Sequence, residues 1–202
     1  MKKKKLILAI LVIFIIAIIT IFFFFYYKNQ KNGNTTINKS EEDIVNDILN
    51  LKSYNAKLNI TIETNKNKTA YVVVQKLEDG KSVQEVIQPE NIAGVITEYD
   101  GSNLKIRNNK LNLETTYQNY QYLVENRLWL DSFIDEYRNT DNRKLLSTEN
   151  EIILEVQNNK NPYNVIKKLY IEKKTGKIER LMVQDINQKT LVYILYTEIK
   201  IS

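Results

Sequence analysis

The chain has 202 residues, neither cysteine nor histidine, and a formal net charge of +5. Those two absences exclude disulfides, thiol or imidazole nucleophiles, imidazole acid–base chemistry, haem-type His ligation and zinc sites of the usual Cys/His kind. The charge is not a nucleic-acid footprint: without Lys2 to Lys5 it falls to 25 basic against 24 acidic residues, and from Glu41 onward to 22 against 24.

Leu6 to Tyr27 is a run of 22 apolar and aromatic residues interrupted only by Thr20. As a helix it would be about 33 Å long against a hydrocarbon core of about 30 Å, which predicts one transmembrane helix. The run is too long for a signal-peptide core and ends in Phe22 to Tyr27 with no small-residue cleavage site. Lys2 to Lys5 orient such an anchor with its N-terminus cytoplasmic, so the expectation is a single-pass cell-membrane protein with an extracytoplasmic C-terminal domain. Expected divisions are residues 1–27 as basic tail and anchor, contacting the lipid bilayer through 6–27. Residues 28–40 form a polar tether and 41–202 one domain.

Ser40 and Asp43 have the spacing of a capping box, and Glu41, Glu42 and Asp43 suit the positive end of a helix dipole. Ile44, Val45, Ile48, Leu49 and Leu51 supply the apolar side of a helix over 41–51. Tyr54, Ala56, Leu58, Ile60 and Ile62 then alternate with polar residues, the period of a strand with one wet face. Strands over 69–78 and 81–88 flank Asp79-Gly80, a hairpin turn signal, and Pro89 ends the ladder. Strands over 95–99, 102–107 and 110–114 continue the meander through Asp100-Gly101 and Asn108-Asn109.

A helix is expected over 119–137, with Tyr122, Leu123, Trp129, Leu130, Phe133, Ile134 and Tyr137 in an arc of about 140°. Glu125, Asp131, Asp135 and Glu136 fall outside that arc and read as solvated. Strands over 150–157, 164–172, 178–186 and 189–200 complete the chain, with Gly176 in the turn at 173–177. The expected fold is mainly β with α: an open, strongly curved antiparallel sheet carrying two helices, preceded by the transmembrane helix.

Catalytic patterns are incoherent. Ser102 to Lys105 matches S-x-x-K and Lys174-Thr175-Gly176 matches K-T-G, but the first falls in a hairpin and the second in a turn, with no S-D-N element. The carboxylate pairs have helix-dipole or turn explanations, so no catalytic residue, metal ligand or cofactor site is assigned. The basic cluster Lys167, Lys168, Lys173, Lys174, Lys177 and Arg180 reads as a solvated hairpin. Leu58, Ile60, Tyr71, Val73 and Trp129, with the off-arc Val124 and Leu128, form the candidate cavity or partner surface.

EEDIVNDILNLKSY, VQEVIQPENIAGVITEYDGSNLKI and LYIEKKTGKIERLMVQDINQKTLVYILYTEI together resemble the LolA/LolB-like lipoprotein-carrier superfamily over about 41 to 201. That resemblance implies a half-barrel with helices across its mouth. Within the superfamily the low-GC composition is similar to the clostridial spore germination lipoproteins of GerS type. It implies a noncatalytic protein supporting an extracytoplasmic partner, an N-acetylmuramoyl-L-alanine amidase of the spore cortex, in the forespore intermembrane space. A homodimer through an exposed sheet edge is also compatible with it. The chain departs from a lipoprotein in lacking a lipobox cysteine. The alternatives are a lipid or lipopeptide carrier or sensor with an apolar cavity, and an envelope enzyme using carboxylates alone. No nucleic-acid partner is expected.

Overall fold

The computed structural model describes residues 39–120, 128–157 and 166–202. Lys39–Ser202 forms one compact unit. Its first element, α1 (Glu41–Leu49), starts as a complete capping box: the Ser40 hydroxyl accepts from the Asp43 backbone N–H, while the Asp43 carboxylate accepts from the Ser40 N–H. Ile44, Val45 and Ile48 are its buried face.

Six strands follow as a meander: β1 (Tyr54–Glu63), β2 (Lys68–Glu78), β3 (Lys81–Gln88), β4 (Val95–Tyr99), β5 (Leu104–Asn108) and β6 (Leu113–Tyr117). The chain then passes through α2 (Leu130–Asn139) to the far edge of the sheet. From there β7 (Arg143–Ser147), β8 (Glu151–Gln157), β9 (Ile166–Glu172), β10 (Ile178–Gln184) and β11 (Thr190–Ile201) run back to the middle. The order is β6-β5-β4-β3-β2-β1-β11-β10-β9-β8-β7, antiparallel throughout.

Nine of the ten strand pairings join neighbours in sequence, and the tenth seats β11 on β1, from Tyr54 opposite Ile201 to Ile62 opposite Val192. That single long-range ladder unites the two meanders. The strand turns carry the expected residues: Asp79 (φ 51°) and Gly80 (φ 72°) both adopt the left-handed conformation that a tight hairpin between right-twisted strands requires.

The core lies on one face, beneath the helices. Tyr54, Ala56, Leu58 and Ile60 of β1 join Ile194 and Tyr196 of β11, Leu181 and Val183 of β10, Leu169 and Ile171 of β9, and Ile152, Leu154 and Val156 of β8. From above, Leu130, Phe133, Ile134 and Tyr137 of α2 complete it.

Three expectations are corrected. The strongly curved half-barrel becomes an open, uncurled eleven-stranded sheet. Its edges β6 and β7 stand at opposite ends of a linear order, and every residue of both strands is exposed. The described part of the second helix is Leu130–Asn139, with Trp129 as an extended N-cap rather than a helical residue; the expected helical stretch over 121–127 lies outside the described residues. The preceding transmembrane helix, and with it the single-pass membrane localisation, is also not upheld, while the bilayer contact through 6–27 falls on residues outside the described ones. No helix among the described residues is long and apolar enough to cross a membrane, and residues 6–27 lie outside the described residues.

Candidate functional site

Strand alternation places Leu58, Ile60, Tyr71 and Val73 on the helix-covered face, opposite one another across β1 and β2: Leu58 faces Val73 and Ile60 faces Tyr71. Leu58, Ile60, Val73 and Trp129 are fully buried, whereas Tyr71 and Leu128 retain partial exposure. Val124 lies outside the described residues. The structure therefore brings Leu58, Ile60, Tyr71 and Val73 together on one face, and of the candidate residues described Tyr71 and Leu128 retain partial exposure.

Beside that surface lies a polar cluster the sequence did not reveal. Gln75 and Ser82 are buried, and the half-buried carboxyl of Asp131 descends onto them from the first turn of α2. The Ser82 hydroxyl donates to Asp131 Oδ2 at 2.5 Å, and the Tyr54 hydroxyl lies 3.1 Å from Gln75 Oε1 and 3.3 Å from Asp131 Oδ1. Gln75 Nε2 donates to Gln84 Oε1 at 2.9 Å and to the Leu128 carbonyl at 2.8 Å. Burial raises the Asp131 carboxyl above the ordinary carboxylate range, opposed by the bonds from Ser82, its own backbone N–H and Tyr54. Burial also raises the Tyr54 and Tyr196 hydroxyls, with the nearby Asp131 adding to both shifts. Tyr196 Oη is buried without a hydrogen-bond partner.

The basic residues near the C-terminus are not a free cationic patch. Lys167 is buried and paired with Glu136 of α2. On the opposite face Lys168 and Lys144 share Glu155, each at 3.3 Å. Lys173 binds Glu41 at 2.7 Å. Arg180 binds Glu151 at 2.6 Å and Glu179 at 3.0 Å while lying 3.8 Å from the Tyr170 ring centroid. Reading the cluster as a solvated hairpin is thus corrected for these four residues: the fold sets a carboxylate beside each, from the helices for Lys167 and Lys173 and from the sheet for Lys168 and Arg180, which a count along the chain does not disclose.

A cleft of about 280 Å³ opens on the outer face, between Thr61, Glu63, Lys68, Met182, Thr190, Leu191 and Tyr193. Its lining mixes charges with short apolar groups, and alternation sets it on the side of the sheet away from Leu58 and Ile60. Among the described residues no group of three or more carboxylates has the spacing of a metal site. The Ser102 to Lys105 motif runs from a turn into β5, where Lys105 pairs with Glu114 at 2.9 Å. Lys174 to Gly176 forms a turn, with Gly176 at φ 66°.

The described domain is thus an open antiparallel sheet with helices on one face, a fold shared with solved structures of low sequence identity. A chain of the Clostridioides difficile CwlD amidase–GerS lipoprotein complex superposes with a TM-score of 0.52 at 22% identity, covering 81% of this chain and 97% of that one. An uncharacterised conserved protein from Thermus thermophilus gives a TM-score of 0.51 at 13% identity, covering 81% and 88%. A LolA superfamily protein from Nitrosomonas europaea gives 0.42 at 9% identity, covering 81% and 94%. At these identities the likeness establishes the fold and nothing finer. No family model and no curated protein matches the chain.

Proposed function

We propose that this chain is a noncatalytic binding protein of the cell envelope that supports an extracytoplasmic protein partner, a peptidoglycan amidase acting on spore cortex being the partner class. The observation that carries this reading is the fold likeness to a chain of the amidase–lipoprotein complex, which spans 97% of that chain. The composition supports it from the chemical side, since a domain without Cys or His lacks the commonest nucleophiles and proton shuttles.

Contact with the partner falls to the accessible Tyr71 and Leu128 and to the edge strands. Leu58, Ile60, Val73 and Trp129 contribute by holding that face in shape. The β6 and β7 edges expose Leu113, Tyr117, Leu145 and Leu146, and an edge strand offers unpaired N–H and C=O groups to an added strand. The test mixes the purified chain with the purified N-acetylmuramoyl-L-alanine amidases of its own cell envelope, followed by size-exclusion chromatography with mass measurement. A stoichiometric complex with one of them is expected, and failure with all of them overturns the assignment.

A further inference from the structure

The hydrogen bonds around Asp131 depend on nothing in the partner assignment. Gln75 has one orientation available, because its Nε2 meets the Leu128 carbonyl at 2.8 Å and a carbonyl only accepts. Gln75 Oε1 is thereby fixed toward the Tyr54 hydroxyl, which also faces Asp131 Oδ1. Tyr54 has one proton for these two acceptors. If it donates to an ionised Asp131, Gln75 Oε1 is left facing a hydroxyl oxygen 3.1 Å away with no proton between them. If Asp131 carries a proton, every member is satisfied: Asp131 donates to Tyr54, Tyr54 to Gln75, and Gln75 to Leu128 and Gln84, while Ser82 donates to the second carboxyl oxygen. A buried polar network of this kind is most stable when fully connected.

We propose that Asp131 is a neutral acid in the folded protein, and that its shared proton is a pH-operated latch fastening the start of α2 to β1, β2 and β3. The groups facing it are consistent with this. Tyr54 from β1 and Tyr196 from β11 are neutral phenols, Asp135 from α2 adds negative charge, and β2 and β3 offer only Gln75, Gln84 and Ser82, which do not titrate. Among the described residues no cation is paired with Asp131. The other end of α2 is held separately, by Glu136 on Lys167 and by Arg143 Nη1 donating to the Tyr137 and Arg138 carbonyls at 3.1 Å. Ionisation would therefore loosen the Trp129 end of the helix while its far end stays docked.

For an acid raised above its unfolded value the sign is fixed. The stabilisation is complete below the unfolded value, 3.8, and is lost as pH rises toward the folded value. The test compares the full chain with Asp131→Asn, which keeps a donor for Tyr54 and an acceptor for Ser82. Urea unfolding is read alongside fluorescence of Trp129, the only tryptophan, between about pH 4 and about pH 8. Relative to the variant, the folding constant of the wild-type chain should fall by up to about tenfold per pH unit within the latch window. The Trp129 signal should titrate in the wild-type chain alone. Parallel profiles for the two proteins overturn the proposal. Should the variant fail to fold, carboxyl carbon NMR of the wild-type chain decides: titration of Asp131 above 3.8 supports the latch, and titration at or below 3.8 overturns it.

Discussion

Lys167 of β9 lies beneath Glu136 of α2, its ammonium paired with that carboxylate and its side chain only 3% exposed. The pair spans sheet and helix inside an otherwise apolar layer, where each charge compensates the other. Lys167→Ala should cost about 3 kcal/mol by removing the ammonium that compensates the Glu136 carboxylate, whereas Lys167→Met combined with Glu136→Leu should be near neutral. Urea denaturation of the two variants separates the outcomes, and equal losses would show that the pair is not the unit of stability.

Phe133 is 1% exposed and projects from the middle of the buried face of α2. Phe133→Ala removes that volume beneath a rigid sheet, and a loss of about 4 kcal/mol is expected in thermal or urea unfolding. A loss below about 1 kcal/mol would mean that the helix packs loosely on the sheet.

Arg180 combines two carboxylate contacts with a position over the Tyr170 ring. Lysine keeps the charge but loses the planar group that stacks and forks. Arg180→Lys is therefore expected to destabilise by about 1 kcal/mol, and Tyr170→Leu in the Arg180→Lys background should add little. A double-mutant cycle measures this coupling directly.

Asp100 accepts from the backbone N–H groups of Asn103 and Ser102 and from the Asn103 side chain, which holds its carboxyl at about 2. For a lowered acid the contribution is present above the unfolded value of 3.8 and is lost as pH falls toward 2. Carboxyl carbon NMR should find Asp100 still ionised at pH values where the exposed acids have protonated. Asp100→Ala should abolish that resonance and fray the β4–β5 hairpin.

What was legible in the chain was what depends on neighbours in sequence. The capping residues Ser40 and Asp43, the alternation of β1 and the hairpin residues Asp79-Gly80 carry their conformations in local chemistry, and each occurs where expected. β7 was missed because Arg143-Lys144-Leu145-Leu146-Ser147 neither alternates nor is rich in β-branched residues. It becomes a strand by pairing with β8, as Leu145 opposite Leu154 records. Helical periodicity placed Trp129 inside the second helix, but its extended backbone makes it the N-cap of α2.

The polar residues mark the same boundary. Asp131 and Glu136 fall outside the apolar arc of α2, and by that measure both belong in water. Their true surroundings are set by Tyr54, Ser82 and Lys167, which lie from 31 to 77 residues away along the chain. By itself the sequence determined the strands with regular alternation, their turns and the absence of Cys and His chemistry, because these follow from local conformation and composition. Only the tertiary structure decided that the sheet is uncurled and which charges lie beneath the helix, because strand order and burial depend on surfaces that meet only when distant segments pack.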